Sequence, residues 1–480
     1  SKPYRSTDLY AAVKGIDFII DGHSHTVMTK GENGEPIQST GTAFANIGVI
    51  VIDDATKKIE SNSLFEIKED TAKDATVAAA AQKIIDRIDK EYGAVFAKSE
   101  VVLNGAKAPN GNRDSETNNG DLITDAMVWK ILQDKESLTV DADHVVAVTN
   151  GGGIRKAINP GDVTKKNINE VLPFGNTVVT IYITGAELLE ALEASTYCTP
   201  DAIGGFPQVS GINYTISTAV AYDANAETYP ASTYYGPKSI NRVVINSING
   251  KEFKADDTYA VITNDFCGGG GDTYYAFAAA TAKFDTGIPL DEVVMEYITA
   301  ELKGVIGKQY AAPQGRILMN PFKDVKVSSW FGKYVIDLYN DGIINGTSAT
   351  TYAPNDTLTW AAALKLLLVS HGDLKAADAT GADWSKNTIA KAAELGLVAA
   401  DLDGAKAISR LEFCQVAAKL NKLAESKTES PFTDCTDGYV MALVDAKVIN
   451  GMTETTFEPS ATLTRAQIAK IIYQLNLIEK

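Results

Sequence analysis

Asn150-Gly151-Gly152-Gly153-Ile154-Arg155 follows directly on Val145-Val146-Ala147-Val148. The four apolar residues read as a short buried strand, and a glycine run at a strand end lets the backbone turn and approach a neighbour closely. Working outward, Thr177 to Ile183 reads as a second, weakly alternating strand, and Ala186 to Ser195 as a helix after a Thr-Gly turn. A second glycine loop lies at Gly268 to Gly271. Strands and helices mixed in this way over residues 96–319 predict an α/β or α+β domain.

Upstream, Phe18-Ile19-Ile20 reads as a short buried strand and Asn46 to Asp53 as another, within a segment spanning residues 1–68. Asp74 to Tyr92 has no proline or glycine and places Ile84, Ile85 and Ile88 on one face, which predicts a connecting helix within residues 69–95. Downstream, the chain repeats. Ile343-Ile344-Asn345-Gly346 recurs as Val448-Ile449-Asn450-Gly451, Tyr352-x-Pro354 as Phe457-x-Pro459, and Leu358-Thr359 as Leu463-Thr464, all spaced by 105 residues. Pro321-Phe322-x-Asp324 recurs as Pro431-Phe432-x-Asp434. A weaker copy, Leu395-Gly396-Leu397-Val398 then Ile408-Ser409-Arg410, lies between them. Residues 320–480 therefore read as three helical repeats, over 321–369, 370–425 and 431–478. One such repeat is too small to bury its own core, so the three are expected to stack.

The 480 residues carry 61 acidic and 44 basic side chains, a formal charge of -17. An acidic field repels phosphate backbones and disfavours a nucleic-acid polymer as partner, though not a local basic pocket for a small anion. No apolar run approaches the roughly 18 residues of a membrane span. Cys198, Cys267, Cys414 and Cys435 are scattered, without a zinc or disulfide framework; a Cys198–Cys267 pair stays open. The sequence begins at Ser1, without methionine or signal peptide, and reads as a mature or truncated piece.

Three sets of residues can carry chemistry. Asp21-Gly22-His23-Ser24-His25-Thr26 is either a metal-binding pair of imidazoles or a polar loop. Arg113, in a segment upstream, and Arg155, just after the glycine run, either fork onto a phosphate or are exposed beside a turn. No Lys-Ser/Thr follows the glycines, which rejects a P-loop. Phe174 in Leu172-Pro173-Phe174-Gly175-Asn176 and Phe266 in Asn264-Asp265-Phe266 either clamp a flat base or plug the core. Asp272, after four glycines, is placed to accept bonds from ribose hydroxyls.

Together these segments resemble the 5'-nucleotidase family of metallophosphoesterases. GHSHT, the Arg113-x-x-Glu116-x-Asn118-x-Gly120 segment, NGGGIR, LPFGN, Gly205-Phe206-Pro207-Gln208-Val209-Ser210-Gly211 and NDFxxxGGD occur in the family's order. The resemblance implies a truncated metallophosphoesterase α/β sandwich over residues 1–68, a linker helix, and a C-terminal substrate domain over 96–319. It implies that Arg113 and Arg155 hold the substrate phosphate and Asn150 lies near the nucleoside. Phe174 and Phe266 would then stack on the base, Asn176 contact it, and Asp272 bind ribose. His23 and His25 match the family's last metal-ligand motif, in a site for two divalent ions (Zn, Mn, Co or Ca). The family's N-H-E motif is nowhere in this sequence, and its D-x-H and G-D ligands belong upstream of GHSHT. Two imidazoles cannot hold two metals. The chain is thus expected to carry a substrate domain without most of its metal ligands.

The three C-terminal repeats resemble surface-layer homology repeats, which implies an all-α domain binding acidic secondary cell-wall polysaccharide at a Gram-positive-type surface. Arg410 and Arg465 match the repeat's arginine, suited to a carboxylate or pyruvyl ketal or else to tying repeats together. Trp360 replaces it in the first repeat. The resemblances imply a wall-anchored nucleotide phosphohydrolase acting on an AMP-like substrate. The alternative is a non-catalytic surface protein that binds nucleotide or wall polymer.

Overall fold

The computed structural model describes residues 5–222, 237–280 and 282–478. The chain divides into two compact units, Ser1–Ala94 with Thr164–Lys166, and Val95–Val163 with Asn167–Lys480.

In the first unit Ile19–Ile20 pairs in parallel with Ile37–Thr40, which also pairs antiparallel with Val27–Met28. Asn46–Ile52 and Ile59–Glu66 form a hairpin. The helix Ala75–Tyr92 is N-capped by Asp74, whose carboxylate accepts from the Thr76 and Val77 N–H groups at 2.9 Å. The Phe18-Ile19-Ile20 strand is not buried as the apolar run suggested: Ile20 is 80% exposed. The strand is two residues long and lies at the edge of its three-stranded sheet. Ile47, Val49, Val51 and Phe65 of the hairpin, and Ile84, Ile85 and Ile88 of the helix, are also exposed.

The second unit is built on a five-stranded mixed sheet. Its elements in chain order are α1 (Asn118–Leu132), β1 (Val145–Asn150), β2 (Thr177–Thr184), α2 (Gly185–Ser195), β3 (Pro207–Ser210), β4 (Ile212–Ser217), β5 (Val243–Ile248), β6 (Thr258–Asn264), β7 (Ala282–Pro289), α3 (Leu290–Ala300) and β8 (Ile317–Asn320). The sheet runs β3-β1-β6-β2-β7. A smaller sheet runs β5-β4-β8.

The period of two along a strand feeds two cores. Val145 and Ala147 of β1, with Ala260 and Ile262 of β6, pack with Leu122, Ile123 and Ala126 of α1 and Val293 and Ile298 of α3. The alternate residues Val146, Val148, Tyr259 and Val261 pack with Leu188 and Leu192 of α2 and with Tyr214 and Ile245 of the smaller sheet. Residues buried on both faces explain why β1 reads as a continuous apolar run rather than an alternating one. The helix expected after the Thr-Gly turn is α2, and Thr184 caps it reciprocally with Glu187.

Residues 321–478 form three helix-turn-helix repeats around one shared core. Their helices are α4 (Gly332–Asn340), α5 (Trp360–His371), α6 (Trp384–Glu394), α7 (Arg410–Leu420), α8 (Gly438–Asp445) and α9 (Arg465–Asn476). Thr359, Ser409 and Thr464 cap the second helix of each repeat. The loops before these caps bridge cyclically, Thr359 to Ala407, Ser409 to Thr462 and Thr357 to Thr464. The first N–H of each second helix donates to a neighbouring repeat: Trp360 to Lys406, Arg410 to Ala461, Arg465 to Asp356. Each repeat therefore satisfies orphan amides of another, which makes the three mutually dependent. The four cysteines are free, so the Cys198–Cys267 pair that the sequence left open is not formed.

Candidate nucleotide site

The end of β1 carries the site. Asn150 is followed by a single turn, Gly151–Gly153, whose first two N–H groups donate to the Phe206 and Gly204 carbonyls at 2.7 Å. A Cβ on Gly151 would lie 1.6 Å from the Asn112 carbonyl oxygen, so only glycine lets the Arg113 loop reach the strand end.

Arg113 and Arg155 are brought together here. Burial, and then the like charge of Arg155, lower the Arg113 pKa, while Asp272 opposes them. The Arg113 Nε is buried with no hydrogen-bond partner. Arg155 donates to the Gly152 carbonyl at 3.2 Å, and its guanidinium carbon lies 5.5 Å over the Phe174 ring. Two mutually repelling guanidiniums, one with an orphaned buried donor, are a site that an anion stabilises.

A chain of amides fixes the rest. The Asn264 side-chain Oδ1 accepts from the Cys267 N–H at 2.8 Å, and its Nδ2 donates to Asn150 Oδ1 and Thr149 Oγ1 at 3.0 Å. The Asn150 amide in turn donates to Asp272 Oδ2 at 2.8 Å. Asp272 sits at φ +50°, in the left-handed region that Asp tolerates.

Phe174 and Phe266 are 60% and 46% exposed. Neither fills the core, so of the two readings the core plug is excluded. Asn176 donates to the Asp265 carboxylate at 2.6 Å and so ties the Phe174 loop to the helical turn that carries Phe266. Two aromatic faces, two cations and a carboxylate thus surround one rim. Asn264 and Gln208 are part of this framework and were not singled out from the sequence, although both lie in quoted segments. Their side chains act on neighbouring backbone and amides, which no spacing announces.

His23 and His25 are exposed, at φ +63° and +60°, in a loop where Ser24 and Thr26 share a 2.8 Å hydrogen bond. Among the described residues no group of three or more His, Cys, Asp or Glu side chains converges as a metal site. These residues therefore do not by themselves fit a two-metal centre.

In the repeats, Arg410 is 6% exposed, donates to the Asn450 carbonyl at 2.6 Å and lies 4.6 Å over Phe457. Arg465 donates to the Tyr352 and Asn345 carbonyls at 2.7 and 2.9 Å and lies 4.5 Å over Tyr352. Both arginines hold the Ile-Asn-Gly turn of another repeat. Trp360 starts the equivalent helix of the first repeat, against the second repeat's loop, where no such turn is present.

Two family models match the chain. The family "5'-nucleotidase, C-terminal domain" matches residues 95–279, and the "S-layer homology domain" matches 321–363 and 434–469. The "Trifunctional nucleotide phosphoesterase protein YfkN" of Bacillus subtilis is 33% identical over 331 residues, covering 65% of this chain and 20% of that protein. A 5'-nucleotidase of Homo sapiens is 26% identical, covering 64% and 55%. The crystal structure of a 5'-nucleotidase precursor from Thermus thermophilus is 27% identical, covers 63% and 59%, and superposes with a TM-score of 0.47. The chain spans 20% of YfkN and about half of other curated relatives. No helix among the described residues is long and apolar enough to cross a membrane. Residues 95–279 are a 5'-nucleotidase C-terminal domain, and the helical repeats behind them carry S-layer homology domains.

Proposed function

We propose that residues 96–319 hold a nucleoside 5'-phosphate, and that the whole protein is a surface-anchored phosphohydrolase of nucleotides. The observation that carries this is the pairing of Arg113 with Arg155 beside two exposed phenylalanines. In this reading the guanidiniums take the phosphate, Phe174 and Phe266 stack on the base with Asn176 at its edge, and Asp272, held by Asn150, accepts from ribose.

Two divalent metals, when bound in the complete protein, would activate water for attack on phosphorus. His23 and His25 are this chain's contribution to that site, and the remaining ligands would come from residues outside this sequence. The uncovered apolar side chains of the first unit support a missing layer there. Residues 1–480 alone are expected to bind AMP yet release no phosphate from it with added Mn²⁺, Zn²⁺ or Co²⁺. Full turnover would overturn this assignment of ligands, and binding without turnover in a longer form carrying the D-x-H and N-H-E motifs would favour a binding protein.

Phe174→Ala and Phe266→Ala are each expected to weaken adenosine binding by about 1–3 kcal/mol, the usual worth of base–aromatic stacking. Calorimetry giving unchanged affinity in both variants would remove the stacking role.

The S-layer homology repeats support a cell-surface location, and we take their ligand to be secondary cell-wall polysaccharide of a Gram-positive-type envelope. Arg465→Ala should reduce co-pelleting with purified cell walls, because it removes a cation and frees the Asn345 turn. Equal pelleting at a lowered melting temperature would leave Arg465 with the inter-repeat role alone.

A further inference from the structure

We propose that Gln208 is the positioning residue for Arg113; this rests on the reading of Arg113 as a phosphate ligand. The Arg113 guanidinium makes no hydrogen bond among the described residues, and its Nε is buried without a partner. Its place is therefore set by the backbone beneath it. That backbone belongs to the loop before α1, outside any strand ladder.

Gln208 holds this loop from the sheet. It lies on β3, fully buried, and its amide nitrogen donates to the Ser115 carbonyl at 2.7 Å and the Asn112 carbonyl at 3.2 Å. Its amide oxygen accepts from the Thr117 N–H at 3.0 Å. The three backbone groups bracket Arg113 on both sides. All of the amide's hydrogen-bonding directions toward the loop are used, as burial requires. The seat is built for it: a Cβ on Gly120 would lie 2.2 Å from the glutamine oxygen.

The same strand position carries the other half of the site. Gln208 pairs across the sheet with Thr149, and Pro207 with Asn150. One side chain therefore locks the phosphate-side loop to the ladder that presents Asn150. Gln208 itself is enclosed and touches no substrate. Losing it should move Arg113 without disturbing the phenylalanines.

The test is calorimetry of the full chain with AMP and with adenosine. Gln208→Met keeps the volume and removes every hydrogen bond. It should weaken AMP about tenfold while adenosine stays within about twofold, the size expected for one misplaced charge-assisted bond. Gln208→Glu is nearly isosteric and covers the case in which the methionine variant does not fold. A carboxylate there faces two carbonyl oxygens, so its AMP deficit relative to wild type should shrink between about pH 8 and about pH 5, as the acid protonates and regains one donor. Arg113→Ala combined with Gln208→Glu should bind AMP no more weakly than Arg113→Ala alone. Equal losses for AMP and adenosine, an unchanged AMP affinity, or additive losses in the double variant would overturn the proposal. If Arg113→Ala itself leaves AMP binding intact, the phosphate reading falls, and this proposal with it. If Arg113→Ala loses AMP and both Gln208 variants keep it, the positioning role alone falls.

Discussion

Arg113→Ala is expected to lower AMP affinity by tenfold or more and to leave adenosine affinity unchanged. A hydrogen bond to a charged group contributes about 1.5–3 kcal/mol, and more where water is excluded. Arg113 is half-buried, has an orphaned Nε and feels the charge of Arg155. A phosphate would satisfy both deficits at once. Part of the loss is offset, because deleting Arg113 also relieves its repulsion with Arg155. Arg155→Ala should behave differently. Arg155 lies over Phe174, so removing it costs phosphate binding and also frees the ring. That variant should weaken both AMP and adenosine, and AMP more. The contrast is the useful readout: identical losses for both ligands in the Arg113 variant would mean that Arg113 does not face the phosphate.

Arg316→Met should destabilise the second unit by about 1.5–3 kcal/mol, the usual worth of a hydrogen bond to a charged group, because it leaves the partly exposed Asp125 carboxylate without its cation. Arg316 donates to the Asp125 carboxylate at 2.9 Å and lies 3.6 Å from Asp121, which is fully buried. Glu116 accepts from the Gln314 and Ile317 N–H groups at 2.7 and 2.8 Å, and Asp121 accepts from Gln314 at 3.1 Å. These carboxylates clamp the chain entering β8 onto the segment that carries Arg113. Burial, and then the charge of Glu116, push the Asp121 pKa up to about 8, with Arg316 opposing; burial also raises Glu116.

The fold holds a proton on Asp121 up to about pH 8, whereas the unfolded chain loses it near its ordinary value of 3.8. This contribution is fully present below the unfolded pKa and is lost as pH rises through the folded one. Asp121→Asn, which cannot ionise, should flatten the stability profile between about pH 4 and pH 8. Denaturant melts across that range test both variants. An Arg316→Met protein as stable as wild type would show the cluster to be solvated rather than buried.

The substrate domain was legible where local chemistry and long-range packing agree. The apolar run before NGGGIR is a strand because its alternate residues feed two cores. The Thr-Gly turn starts a helix because Thr184 caps it reciprocally with Glu187. The repeats were legible because each reuses the same Ser or Thr cap. Phe174 and Phe266 were not decidable from sequence, since a loop phenylalanine carries no mark of which way it faces. Gln208 and Asn264 were invisible for a related reason: Gln208 works on backbone, and Asn264 on side chains, that are distant in the chain. The Phe18-Ile19-Ile20 strand misled because an apolar run states a need for burial, not the presence of a layer to meet it. Arg410 and Arg465 were readable as wall ligands or as ties between repeats, but not which turn each grips.

Titrating AMP, adenosine and inorganic phosphate separately into the unmodified chain is the most direct measurement. The account predicts one AMP per chain, bound more tightly than adenosine, with phosphate competing for the AMP site and not for adenosine. AMP bound no more tightly than adenosine, or not at all, would contradict the assignment of Arg113, Arg155, Phe174 and Phe266 to one nucleotide site.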